Sequence, residues 1–241
     1  DYPVEPLEIL QSILFHAANL KVLHMIELHG MEDDHVAEIL DGTLVLEELR
    51  MEGMEVGIHT VESLCSSVPN LKQLHIVGSK FLQDADVRCV SAVCLRLEQL
   101  TLSKCLKLTD AAFSRCSQLM KLGKLNLAQC SKLLDGSFLG SFTLCPLVYL
   151  NLDGINLPKT TSFTKELAKL STMTANSVQD LSMQNISQLD NEDVNMALRT
   201  FWNCRKIDIT GSGKRFPASL MSPGMYKHPF LSLKSTHEFI G

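Results

Sequence analysis

The sequence predicts an α/β solenoid: strand–turn–helix units stacked so that a parallel sheet lines a concave face and α-helices cover the convex one. Two observations predict it. An apolar-x-x-apolar-x-apolar pattern occurs eight times, and a second apolar column keeps phase with it. The eight units begin Leu20-Leu23-Met25, Leu46-Leu49-Met51, Leu71-Leu74-Ile76 and Leu97-Leu100-Leu102, then Leu122-Leu125-Leu127, Leu147-Leu150-Leu152, Val178-Leu181-Met183 and Cys204-Ile207-Ile209. Successive starts lie 26, 25, 26, 25, 25, 31 and 26 residues apart. Alternation within a unit is the period of a strand with one buried face.

The second column lies 16 residues after each start, at Val36, Val87, Phe113, Phe138, Phe163 and Val194, with Val61 one place early. That spacing predicts a helix of about eight to ten residues in each unit. Asp33, Asp84, Asp110 and Asp135 stand 13 residues after their starts, where a carboxylate caps the N–H groups of the following helix turn. Phe163 keeps phase with Leu147, so the extra residues of the long unit fall around 171–177, between a helix and the next strand. No unit can bury its own apolar face, so neighbours must stack. The solenoid is expected over residues 1–212, with a lead-in helix at 7–17 and a C-terminal tail at 213–241 that breaks the period at Pro217, Pro223 and Pro229. Trp202, just before the last unit's strand, is expected to seal the end of the stack.

Composition fits one elongated domain of 241 residues with 45% apolar content and net charge −5. The charge is uneven: residues 1–60 hold 13 acids and two bases, residues 61–241 hold 14 acids and 20 bases. No dense basic stripe with interleaved aromatics points to nucleic acid. No apolar run approaches 18 residues, so no membrane span is expected. The first residue is Asp1 and no basic segment leads into an apolar run, so the chain reads as a fragment or processed product without a secretion signal. The eight cysteines form no C-x-x-C pair, and the histidines take no zinc-like spacing to them. Reduced, buried thiols in a cytoplasmic or nuclear protein are expected, and no metal.

Two units are more specific. Leu97-x-x-Leu100-x-Leu102-x-x-Cys105-x-x-Leu108-Thr109-Asp110 and Leu122-x-x-Leu125-x-Leu127-x-x-Cys130-x-x-Leu133-Leu134-Asp135 resemble the cysteine-containing leucine-rich repeat. Val68-Pro69-Asn70-Leu71 and Cys94-Leu95-Arg96-Leu97 are similar to that family's short link before the strand. The cysteine position holds Leu28, Met54, Ser79, Ile155, Ile186 and Ser212 in the other six units, so Cys105 and Cys130 read as packing residues.

The resemblance is to the leucine-rich-repeat domains of F-box substrate receptors of cullin-type ubiquitin ligases. It implies a protein substrate on the concave face, with Skp1 and cullin reached only through an F-box. Pro6-Leu7-Glu8-Ile9-Leu10-Gln11-Ser12-Ile13 echoes an F-box opening, but the repeat phase begins by Asn19, and a complete F-box is expected only upstream of residue 1. A non-ligase leucine-rich-repeat scaffold shares every feature above. A small-molecule sensor would need a concave basic pocket, for which Arg50, Lys124 and Lys206 stand too far apart.

Residues between the buried leucines line the concave face, and the partner-binding residues expected there are Arg50, His75, Lys124, Asn126, Tyr149, Asn151 and Asp153. Tyr149 is the only aromatic among these strand positions, and interface energy concentrates in Tyr and Arg anchors. Catalysis finds no motif: His24, His29 and His35 have no paired nucleophile, and Gly211-Ser212-Gly213-Lys214 lacks the spacing of a phosphate loop. Neither an enzyme nor a cofactor is expected.

Overall fold

In the computed structural model the described residues are 8, 12–13, 17–134, 136–156, 166–167, 170 and 177–212, together with the backbone of 232–234. Each repeat of the apolar pattern forms one strand: β1 (Val22–Ile26), β2 (Glu48–Glu52), β3 (Gln73–Val77), β4 (Gln99–Thr101), β5 (Lys124–Asn126), β6 (Tyr149–Asn151), β7 (Asp180–Ser182) and β8 (Lys206–Asp208). A ninth strand, β9 (Ser232–Lys234), lies beyond the last periodic unit and pairs in parallel with β8. The strands form one parallel sheet in sequence order. Parallel strands sit roughly 4.8 Å apart whereas packed helices need about 8–10 Å, so a sheet backed by helices curves with its strands inside.

Burial follows the period. Leu49, Leu74, Leu100, Leu125, Leu150, Leu181 and Ile207 form one inward ladder, and Met51, Ile76, Leu102, Leu127, Leu152, Met183 and Ile209 another; all are buried. Val36, Val61, Val87, Phe113, Phe138 and Val194 of the second column are buried too, while Phe163 lies outside the described residues. β6 and β7 stay sheet neighbours despite the longer spacing between them. Most of that insertion, at 171–176, also lies outside the described residues, as does most of the lead-in helix, where residues 8 and 12–13 are helical.

The helical layer differs from expectation in two of the repeats. Helices α1 (Asp33–Asp41), α2 (Ile58–Ser67), α3 (Asp84–Val93) and α4 (Asn191–Thr200) have the expected nine or ten residues. The repeats beginning at Leu97 and Leu122 instead carry 3₁₀ turns, at Asp110–Phe113, Cys116–Gln118 and Ser137–Phe142. Ser114, Ser117, Ser137, Gly140 and Ser141 are poor helix formers, and packing of Phe113 and Phe138 does not require a full α-turn ladder.

The aspartate column caps across the repeat boundary, not within its own repeat. The N-cap residues are Glu32, Gln83 and Thr109, and the aspartate opens the helical segment just after each. Asp33 accepts from the Gly57 amide at 2.7 Å, the His59 amide at 2.9 Å and the Thr60 hydroxyl at 2.5 Å, all at the start of α2. Gly57 is the N-cap of α2 and has no side chain to offer, so the preceding repeat supplies the acceptor. Asp84 likewise accepts from the Thr109 amide at 2.8 Å, and Asp110 from the Leu134 amide at 3.0 Å. Asp135 lies outside the described residues.

Another column has no common residue type. The residue seven places after each start has positive φ in all eight repeats: Glu27, Gly53, Gly78, Lys104, Gln129, Gly154, Asn185 and Gly211. Its left-handed turn ends the strand and aims its N–H at the next repeat. Glu27 donates to Glu52, Lys104 to Ala128 and Gln129 to Asp153, and the other units continue the chain of bonds as far as Asn185 to Thr210.

Trp202 is 54% exposed, whereas Phe201 beside it is fully buried. Phe201 takes the core position three residues before the repeat start. Trp202 takes the next one, which Leu44, Leu95 and Met120 also expose, so at the end that Trp202 was expected to seal the buried side chain is that of Phe201.

Candidate functional site

Outward side chains of the strands fall into rows because the register is unbroken. One row runs Gln73, Gln99, Lys124, Tyr149, Asp180 and Lys206. The next runs Arg50, His75, Thr101, Asn126, Asn151 and Ser182. Lys124 and Tyr149 are therefore direct cross-strand neighbours, as are Asn126 and Asn151, and Arg50 and His75. Strand β4 separates His75 from Asn126, a gap of roughly 10 Å. Five of the seven expected residues gather at β5–β6, and Arg50 with His75 forms a second, more N-terminal group.

The polar contacts differ between the groups. Arg50 donates from Nη2 to Glu52 at 2.7 Å, and His24 shares a hydrogen bond with Glu48 at 2.7 Å, so these side chains find partners within the face. His75 shares a hydrogen bond with the Thr101 hydroxyl at 3.0 Å. Burial pushes its imidazole below the ordinary value, Glu48 opposes and Arg50 and His24 reinforce, so His75 is neutral near pH 7.

At β5–β6, Asn126 and Asn151 fold their carbonyl oxygens back to accept from the amides of Ala128 and Asp153, at 3.0 and 2.8 Å. Their amide NH₂ groups remain on the face, and that of Asn151 donates to the Tyr149 hydroxyl at 3.2 Å. Asp153 is occupied differently. One carboxylate oxygen accepts from the Ser182 hydroxyl and the Gln184 amide, each at 2.7 Å, which fastens β7 to β6. Asp153 thus works as a staple between neighbouring repeats, a role its place just after β6 does not reveal.

A depression of about 390 Å³ sits over this group, lined by Gln99, Thr101, Lys124, Asn126, Tyr149 and Asp180. A groove of about 620 Å³ shares Gln99, Lys124 and Val148 with it and runs past Met120 and Pro146 to the rim where the strands begin. Gly123 lies in its lining. Gln99, Thr101 and Asp180 were not singled out from the sequence, although they occupy the same two offsets as Lys124 and Asn126. Met120 and Val148 fall outside the strand alternation, and only their exposure marks them.

The row Lys124–Tyr149–Asp180–Lys206 presents a cation, an aromatic ring, an anion and a second cation at successive strands. That sequence of groups suits the side chains of an extended polypeptide. Arg50, Lys124 and Lys206 are each three strands apart, roughly 14 Å, and do not converge on one phosphate. Among the described residues no group of three or more His, Cys, Asp or Glu could hold a metal ion, and no helix is long and apolar enough to cross a membrane.

Cys105 and Cys130 are fully buried beneath the strand exits, and Cys130 donates to the Leu102 carbonyl at 2.9 Å. Burial pushes their thiols up to about 12 and about 11 respectively. Ser79 fills the same position with a hydroxyl that donates to Val56 at 3.1 Å and accepts from the Phe81 and Leu82 amides. Of the eight thiols expected to be buried, six are; Cys65 is half-buried and Cys89 exposed.

Comparison with solved structures places the chain in the leucine-rich-repeat fold. An internalin from Listeria monocytogenes superposes with a TM-score of 0.64 at 15% identity, covering 98% of this chain and 70% of that one. The leucine-rich-repeat protein FLRT2, solved in an octameric complex with Latrophilin 3 and Unc5D, gives 0.56 at 14% identity, covering 90% and 70%. Yeast Rad7, solved with Elc1, gives 0.45 at 15% identity, covering 93% and 70%. No family model matches the chain, and no curated protein does.

Proposed function

We propose that this solenoid is the substrate-recognition part of a Skp1-cullin-F-box ubiquitin ligase, with the F-box outside the chain, and that it grips a segment of its target across β4–β7. The observation that carries the ligase reading is the pair of consecutive cysteine-type repeats over 97–135, which the F-box receptors also contain. The grip is supported by the exposed Lys124, the half-exposed Tyr149 and the depression between them. Tyr149 offers a flat apolar surface with a hydroxyl already oriented by Asn151, Lys124 a cation for an acidic target side chain, and Asp180 an anion for a basic one. The solenoid would do no bond chemistry of its own. It would hold the target so that a lysine reaches the partner enzyme's thioester. Such a protein would work in the cytoplasm or nucleus.

Full-length protein is expected to co-purify with Skp1, and Lys124→Glu with Tyr149→Ala is expected to release the target while leaving Skp1 in place. Loss of a central aromatic anchor costs about 2 kcal/mol or more, roughly 30-fold in affinity. Absence of Skp1 would favour the second reading, a leucine-rich-repeat binding protein outside the ligases. The likeness to FLRT2, held in a complex with two other proteins, favours that one.

A further inference from the structure

One contact outside the concave face joins two thiols. Cys65 lies near the end of α2 and Cys89 in the middle of α3, and their sulfur atoms are 3.0 Å apart, closer than unbonded sulfurs normally pack. A disulfide needs about 2.05 Å, so closure asks for a movement of roughly 1 Å, within the reach of small side-chain torsions. The other six cysteines are buried. Cys89 is exposed and Cys65 half-buried, so an oxidant in solution meets Cys89 first.

The geometry points to Cys65 and Cys89 as a thiol–disulfide site that clasps α2 to α3 when glutathione disulfide is the oxidant. The Cys89 thiolate attacks one sulfur of glutathione disulfide, forming a mixed disulfide and expelling one glutathione thiolate. The Cys65 sulfur, losing its proton to solvent, then attacks the Cys89 sulfur and expels the second glutathione. Two protein thiols and one glutathione disulfide become one protein disulfide and two glutathione thiols; the protein loses two electrons and glutathione gains them. Burial, and next the Cys89 contact, hold the Cys65 thiol protonated, so the first attack falls to Cys89; what fits Cys65 to the second, intramolecular step is its sulfur, already 3.0 Å from that of Cys89. The bond would close a loop of about one repeat in the unfolded chain and so favour the folded state.

The test incubates the folded chain with glutathione and glutathione disulfide at a series of ratios, blocks free thiols by alkylation, and reads intact mass and tryptic peptides. The expected product has lost two hydrogens and links the peptide 51–72 to the peptide 89–96. It forms in Cys94→Ala, is absent in Cys89→Ser, and melts at a higher temperature than the reduced protein. Because 89–96 also contains Cys94, fragment ions must place the bridge on Cys89. A bridge through any other cysteine would overturn the proposal. So would Cys89 halting as a glutathione adduct, or free thiols persisting at ratios that oxidise ordinary protein dithiols.

Discussion

Asp33 does more than its place in the sequence suggests, because the groups it satisfies belong to the next repeat. Its carboxylate holds the amides of Gly57, His59 and Thr60 and the Thr60 hydroxyl. Replacing Asp33 by Ala leaves the start of α2 uncapped and should cost about 2 kcal/mol in urea unfolding at pH 7. Burial alone would raise this carboxyl, but the Thr60 hydroxyl and the three amides outweigh it and hold it below the ordinary carboxylate range. A depressed folded value means the contribution is full above the unfolded value, near about 4, and fades as pH falls through the folded one. Wild-type stability should therefore drop on acidification below about pH 4, and Asp33→Asn should lack this component of the drop. Gly57→Ala should also destabilise, since its Cβ would meet the Asp33 carboxylate at 2.8 Å. The aspartate column was legible as spacing; its direction was not, since spacing cannot say across which boundary an N–H points. The left-handed column was not legible at all, because Glu27, Lys104, Gln129 and Asn185 share only a backbone angle with the glycines. Gln129→Gly should stabilise by about 0.5–1 kcal/mol by relieving that conformation, measured by the same urea titration.

Among the elements, the strands were the most readable and the helices of the central repeats the least. A buried ladder at period two leaves a strand no alternative face, whereas one apolar residue per helix, such as Phe113 or Phe138, anchors an α-helix or a 3₁₀ turn equally well. Phe113 packs against Phe138 with ring centroids 5.6 Å apart and against Phe142 at 5.8 Å, so one aromatic cluster joins two repeats. Phe138→Ala should cost about 3–5 kcal/mol, read as a lower urea midpoint with an unchanged slope. An unchanged midpoint would mean the repeat register is wrong. Cys105 and Cys130 sit beneath the same repeats with thiols raised by burial, so alkylation of the folded protein should reach Cys89 long before either.

At the scale of the whole molecule, stability is carried by interfaces between neighbouring repeats, since no repeat closes a core alone. Amide exchange should accordingly be slowest in β4–β6 and faster toward β1, where Val22 and Ile26 remain 49% and 46% exposed. The concave face was partly legible. Alternation identified which residues face outward, and Tyr149 with Lys124 stood out by type. Asp153 as a staple, Asp180 as part of the depression and the exposed rim at Met120 depend on register across strands, which no single repeat contains. Among the described residues the acidic charge gathers toward the N-terminal end of the solenoid. We propose that this surface belongs to a Skp1-bound receptor, and affinity purification of the full-length protein beside its Lys124→Glu, Tyr149→Ala variant decides it. The prediction is equal Skp1 with both proteins and a target retained only by the wild type; wild-type protein purified without Skp1 would contradict it.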